Sequence, residues 1–124
     1  MARIMQDLAQ TISRNLLPCI QQPSQYIGLE VNARCNDVHA AELTVAMAFP
    51  DTYTIGISHL GSQLLYHQLN DIPGVACDRT YCPAPDVEVV MREERIGLFG
   101  WESRCAIGDF DVVGFSLPYE MCVT

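Results

Sequence analysis

Residues Leu43 to Asn70 read LTVAMAFPDTYTIGISHLGSQLLYHQLN: an apolar run, a polar loop containing glycine, and a helical pattern, in direct succession. LTVAMAF is apolar almost without a break, as in a strand covered on both faces, whereas a half-exposed strand alternates. Past the loop, Leu65, Leu69 and Ile72 recur at helical spacing with Leu60 and Leu64 beside them, which predicts a helix packing that leucine face inward. Strand, loop and helix in this order form the front half of a βαβ unit. The fold class expected is therefore α/β, a Rossmann-like parallel sheet with helices on both faces. Open sheets of this kind bind ligands at the carboxyl ends of their strands, so the loop after Phe49 is where a function is expected.

Upstream, Met5, Leu8, Ile12 and Leu16 are spaced by three and four, which predicts a leader helix closed by Pro18 and in need of a partner surface. QQPSQYIGLEVN reads as an extended connector, so residues 1–41 are expected to be leader and connector, and residues 42–124 the compact domain. Downstream, Pro73-Gly74 marks a turn and VACDRTYC a second strand. Pro85 and Asp86 open a helix whose buried face is Val87, Val90 and Met91, with Glu88 placed to pair with Arg92 and Gly97 to cap the end. LFGW reads as a short strand, GDFD as a turn carrying Asp109 and Asp111, and VVGFSL as a further, strongly apolar strand. Three strands and a short one fall below the about five of the flavodoxin-like order, so the domain is expected to be incomplete at its C-terminal end. Apolar strand surface left open in this way invites self-association.

At 124 residues, 49% hydrophobic and 18% charged, the chain is one domain at most and long enough to bury a core. A net charge of −8 and the absence of any basic patch argue against nucleic acid and anionic lipid as partners. All seven basic residues are Arg. Without Lys there is no Schiff-base chemistry and no Walker A loop. The six cysteines accompany neither a secretory signal nor a membrane-length apolar segment, which points to free thiols in a reducing, cytoplasmic setting.

Asp51, Ser58, His59 and Gly61 lie on the loop after the first strand, where hydroxyls, an imidazole and free helix N–H groups can line a ligand crevice. The plainer account is that Asp51 caps a turn, Ser58 or Ser62 caps the helix, and the glycines permit close packing. Ser116 and Tyr119 follow the VVGFSL strand at the same edge of the sheet and are expected to form the second wall. His59 and His67 are about 12 Å apart along a helix axis and are not expected to share an ion. Cys77 and Cys82 have four residues between them, not the two of a metal or dithiol pair, and Cys105 and Cys122 are isolated. No catalytic residue and no metal ligand is assigned within this chain.

The blocks PSQYIGLEVN, AFPDTYTIGISHLGSQLLYHQLN, CPAPDVE, LFGWESR and DFDVVGFSLPYEMCVT, in this order, resemble the radical S-adenosylmethionine proteins that carry an N-terminal cobalamin-binding-like domain. The resemblance runs from about Pro23 to Thr124. It implies a parent protein whose next domain is a radical core, with a 4Fe–4S cluster held by a C-x-x-x-C-x-x-C motif and S-adenosylmethionine as cosubstrate. This chain has no such motif, so the radical chemistry is expected of the parent protein and not of these residues. The resemblance also offers cobalamin as a cofactor of this domain. Cobalt ligation by the protein uses D-x-H-x-x-G, however, and here Ile57 stands two residues before His59 and Ser62 three after it.

Two other readings fit the strand and helix order. A receiver-like signalling module needs a Lys opposite its phosphoacceptor Asp, and the chain has none. A free-standing flavin or nucleotide binder is compatible with the loop composition but lacks the G-x-G-x-x-G fingerprint.

Overall fold

The computed structural model describes residues 2–120, with side chains from Asp7 onward, so the readings made of the Met5 side chain and of Cys122 lie outside the described residues. Three parallel strands, β1 (Leu43–Thr52), β2 (Val75–Cys82) and β3 (Val112–Phe115), form a sheet in the order β2-β1-β3. Helix α1 (Ala2–Thr11) precedes them and α2 (Tyr53–Gly56) is one turn after β1. Helix α3 (Leu60–Asp71) connects β1 to β2, and α4 (Pro85–Glu93) follows β2. Helices flank both faces of the sheet, the Rossmann-like α/β arrangement that the apolar run at Leu43 predicts. β1 is central, with Val45 aligned to Cys77 on one side and to Val112 on the other. Its register with β2 slips between Phe49 and Thr52, where Pro50 has no N–H to offer the ladder.

The helix α3 forms, but it is turned away from the face its leucines predict. Of that face only Leu69 packs inward, against the cluster around Tyr66; Leu60, Leu64, Leu65 and Ile72 are exposed, and the buried residues are Tyr66 and Asn70. Asn70 explains the orientation. Its side chain donates to the carbonyls of Tyr66 (3.0 Å) and Cys77 (2.9 Å) and accepts from the N–H groups of Cys77 (3.0 Å) and Asn36 (3.0 Å). Satisfying that many buried backbone groups outweighs the burial of a few methyl groups, because each one left unpaired costs about 1–3 kcal/mol. Tyr66, with Val45, Val75 and Cys77, fills the space between α3 and the sheet.

The larger core cluster joins the leader to the rest of the molecule. Ile12, Leu16 and Ile20 pack with Val87 and Met91 of α4 and with Tyr26, Phe49, Tyr81, Ile96, Phe99 and Trp101. The expected Glu88–Arg92 pair is present at 2.6 Å. Three expectations need correction. LFGW is not a strand of the sheet; Phe99 makes an isolated antiparallel bridge to Ala106. VVGFSL shortens to four residues and is half exposed, with Val112, Phe115 and Leu117 open to solvent. Gly97 is not the left-handed cap, since Arg95 takes that conformation (φ 56°) one residue after the Glu94 cap.

Candidate functional site

The strand order places a topological switch point between β1 and β3, at their carboxyl ends, where the chain has gone to one side of β1 and then to the other. Asp51 and Tyr119 meet there: the Tyr119 hydroxyl donates to Asp51 Oδ2 at 2.9 Å. Asp51 Oδ1 also accepts from the Thr52 N–H at 2.7 Å. Ser116 extends the ladder beyond β3, its N–H donating to the Ala48 carbonyl at 3.0 Å. These three residues lie at the switch point, where the segment after β3 is bonded directly to the end of β1.

Ser58, His59 and Gly61 form the entry to α3. Ser58 is exposed, and its N–H stays within its own turn, on the Ile55 carbonyl. His59 is the N-cap: Nδ1 accepts from the Ser62 N–H at 3.1 Å and lies 2.8 Å from Ser62 Oγ. An imidazole accepting at Nδ1 satisfies one of the free N–H groups of the first helical turn. Its ring lies against Phe49, with centroids 5.1 Å apart. A Cβ at Gly61 would stand 3.1 Å from the His59 ring, so the two residues share one piece of space.

A second polar site is built on β2, where the sequence reads only a strand. Asp78 is fully buried and accepts four hydrogen bonds, from the Arg79 and Glu102 N–H groups on Oδ1 and from the Ser103 N–H and hydroxyl on Oδ2, at 2.6–3.1 Å. Gly100 makes room for it; a Cβ there would lie 2.1 Å from Asp78 Oδ2. Arg79 points to the α3 side of the sheet. Its guanidinium reaches Glu30 at 3.0 Å, Gln63 at 3.2 Å and Glu102 at 3.7 Å, and lies 4.4 Å from the centre of the Tyr66 ring. Tyr66 in turn donates to Glu102 Oε2 at 2.6 Å and accepts from the Arg34 N–H.

Burial raises the Glu102 carboxyl above the usual carboxylate range, against the opposing pull of the Tyr66 hydroxyl and of Arg79. Burial also pushes the Tyr53 phenol up to about 12, helped by its hydrogen bond to Glu30. The signal for this site is an adjacent Asp-Arg pair inside a run of strand residues, a charge pair that a half-exposed strand would carry outward. Here the strand is buried and the pair must find partners within the fold.

Cys35, Asp78 and Glu102 bring their ligand atoms within 4.8 Å of one another, a candidate cation cradle. Its donors fit an ion poorly. Both Asp78 oxygens already accept two hydrogen bonds each, burial holds the Cys35 thiol protonated, and Arg79 stands beside Glu102 as a resident cation. The cysteines do not suit a 4Fe–4S cluster either: Cys19 and Cys82 are exposed, Cys77 and Cys105 are buried, and no three converge among the described residues. His59 accepts the Ser62 N–H at Nδ1 and so carries its ring proton on Nε2, the nitrogen that a cobalt ion would need unprotonated. Among the described residues no helix is long and apolar enough to cross a membrane.

No curated protein and no solved structure matches the chain. Residues 61–124 match the family model described as radical SAM proteins, N-terminal. That span covers α3 from its second residue, β2 with Asp78 and Arg79, and β3, and it is more than half of the 124 residues. The chain belongs to the radical SAM protein family, as its N-terminal region.

Proposed function

We propose that this region is a non-catalytic accessory domain of a radical S-adenosylmethionine enzyme, a scaffold for a core that holds the 4Fe–4S cluster and S-adenosylmethionine. The observation that carries the reading is that the polar groups of the sheet's carboxyl end are engaged with one another. Asp51 is bonded to Tyr119, His59 to Ser62, and Arg79 to Glu30 and Gln63. The one hydroxyl–imidazole contact among these pairs, Ser62 Oγ to His59 Nδ1 at 2.8 Å, lies inside a helix cap in which Nδ1 already accepts from the Ser62 N–H. The five cysteines among the described residues are free, which supports a reducing, cytoplasmic setting.

A cofactor seat is the second reading, and the β2-β1-β3 order favours it, since Asp51, Ser116 and Tyr119 follow the strands on either side of the switch point, the position at which open sheets of this kind bind ligands. Titrating the intact protein with cobalamin and recording the corrin spectrum separates the two. The scaffold reading expects no spectral shift at high micromolar cofactor. A saturable shift, or a purified chain that is yellow with bound flavin, would replace it with the cofactor seat.

A further inference from the structure

Trp101, the chain's one tryptophan, is 1% exposed and packs among aromatic rings: Tyr26 at 5.0 Å between centroids, Tyr81 at 5.1 Å, Phe99 at 5.7 Å and Tyr53 at 6.4 Å, the last nearly parallel to it. Aromatic pairs with centroids about 4.5–7 Å apart are in packing contact, close enough to exchange an electron directly. A tyrosine or tryptophan that loses an electron becomes a strong acid, so its fate depends on where its proton can go. The Trp101 Nε1–H donates to the Gln25 carbonyl at 2.5 Å, and an amide carbonyl does not take the proton. An indole oxidised there stays a cation and draws an electron from a neighbour that can release a proton with it. Tyr26 is buried, its oxygen accepts from the Ala84 N–H, and no acceptor for its own proton is present among the described residues. Tyr81 is buried too, and its oxygen faces donors, the Arg79 guanidinium and the Gln63 amide. Tyr53 differs from both. It is half-buried, and its hydroxyl donates to the Glu30 carboxylate, a base whose side chain is 22% exposed.

We propose that Trp101, Tyr53 and Glu30 form a one-electron relay that carries an oxidising equivalent from the core of the domain to its surface. The co-reactant is a one-electron oxidant outside the chain, of the organic peroxyl class, which takes an electron from Trp101 and leaves as the hydroperoxide anion. The Trp101 radical cation then takes an electron from Tyr53 while the Tyr53 phenolic proton passes to Glu30. Trp101 returns to its starting state, and the products are a neutral Tyr53 phenoxyl radical and a protonated Glu30 carboxyl. Burial and the Glu30 carboxylate hold the resting phenol protonated, so its proton moves only when the electron does. The relay uses groups within this chain alone and does not rest on the accessory-domain reading.

Laser photoionisation of the 124-residue chain tests the assignment. A pulse at the red edge of the indole band ejects an electron from Trp101 to a scavenger in solution, and transient absorption follows the radicals. The tryptophan radical cation decays as a tyrosyl radical grows in at the same rate. Tyr53→Phe keeps the ring and removes the proton, while Glu30→Gln keeps a hydrogen-bond acceptor and removes the base. Each slows the tryptophan radical's decay about tenfold, whereas Tyr26→Phe and Tyr81→Phe leave it within a factor of about two. Decay at the parent rate in Tyr53→Phe overturns the relay. So does a slowing confined to Tyr26→Phe or Tyr81→Phe, which would give the resting site to another tyrosine. Parent-rate decay in a folded Glu30→Gln chain removes the proton acceptor and overturns it as well. Glu30 also holds Arg79 at 3.0 Å, so if Glu30→Gln unfolds the chain, Tyr53→Phe decides the outcome.

Discussion

Tyr119 donates a hydrogen bond to Asp51 Oδ2 at 2.9 Å, joining the segment that follows β3 to the carboxyl end of β1 across the switch point of the sheet. Both residues are at least partly open to solvent, so Tyr119→Phe should cost about 0.5–1 kcal/mol, the usual net worth of such a bond. Asp51→Ala should cost more, because it also frees the Thr52 N–H at the β1–α2 junction. Urea melts of the two variants give the ranking, and an equal or reversed order would show that the Thr52 contact is unimportant.

Asn70 and Leu64 lie on opposite sides of α3 and should behave oppositely to their hydrophobicity. Asn70→Ala leaves the Cys77 N–H and carbonyl and the Asn36 N–H without their partner, and should destabilise by about 3 kcal/mol. Leu64→Ala, on the exposed face, should stay within about 0.5 kcal/mol. Chemical denaturation of both decides the point, and a greater loss for Leu64→Ala would mean that the leucine face packs inward after all.

That pair also marks what the sequence makes legible. The strand–loop–helix order, the parallel sheet, the Pro85 helix start and the Glu88–Arg92 pair follow from apolar runs and local chemistry, which depend on neighbours in the chain. The rotation of α3 does not. It is decided by Asn70 meeting β2 and by Tyr66 meeting Arg79, contacts whose partners come from other elements. The Asp78–Arg79 site escapes for the same reason, since its partners Glu30, Gly100, Glu102 and Ser103 are 22–49 residues away. Of the loop residues, Asp51 and Tyr119 are brought together by a hydrogen bond, while His59 is drawn into a cap that the sequence offers equally to Ser58 or Ser62.

Thr80 is buried on β2, and its hydroxyl has no hydrogen-bond partner among the described residues. Val has nearly the same shape and no hydroxyl. Thr80→Val should therefore raise stability by about 1 kcal/mol, the desolvation penalty of an unpaired polar group being removed without opening a cavity. A denaturant midpoint below that of the parent chain would indicate that Thr80 does have a partner, a bound water being the first to consider.

Two carboxyl groups predict opposite pH effects in different ranges. Burial raises Glu102 above its ordinary value, so the folded state binds its proton more tightly than the unfolded state does. Stability from this group is present below the ordinary Glu value and is lost as pH rises through the raised one. Asp111, exposed and accepting from the Thr44 N–H and hydroxyl at 2.8 Å each, is depressed. Its contribution is present above the ordinary Asp value and is lost as pH falls through the depressed one. Acidification from neutrality should first add Glu102's contribution and then, at lower pH, remove that of Asp111. Melts across the acid range on Glu102→Gln should lose the first segment alone, and an unchanged profile would refute the assignment to Glu102.

The last prediction concerns β3. Its pairing with β1 uses the N–H of Ser116, and by the alternation of a parallel ladder those of Val112 and Gly114, so the N–H groups of Val113 and Phe115 point to the far edge. Among the described residues no strand pairs with that edge, and Phe115 is exposed beside it. An open edge with an apolar side chain is a template for another strand, opposed here by the repulsion of chains carrying −8 each. Light scattering of the 124-residue chain should then report association that grows with added salt, because screening removes the repulsion and leaves the edge. Val113→Pro removes an outward donor while sparing the bonds to β1, and should suppress association with little loss of far-ultraviolet circular dichroism. Leu60→Asp with Leu64→Asp, which alters a different surface, should leave it unchanged. Association that falls with salt, or that Val113→Pro fails to reduce in a folded chain, would rule out the β3 edge as its cause.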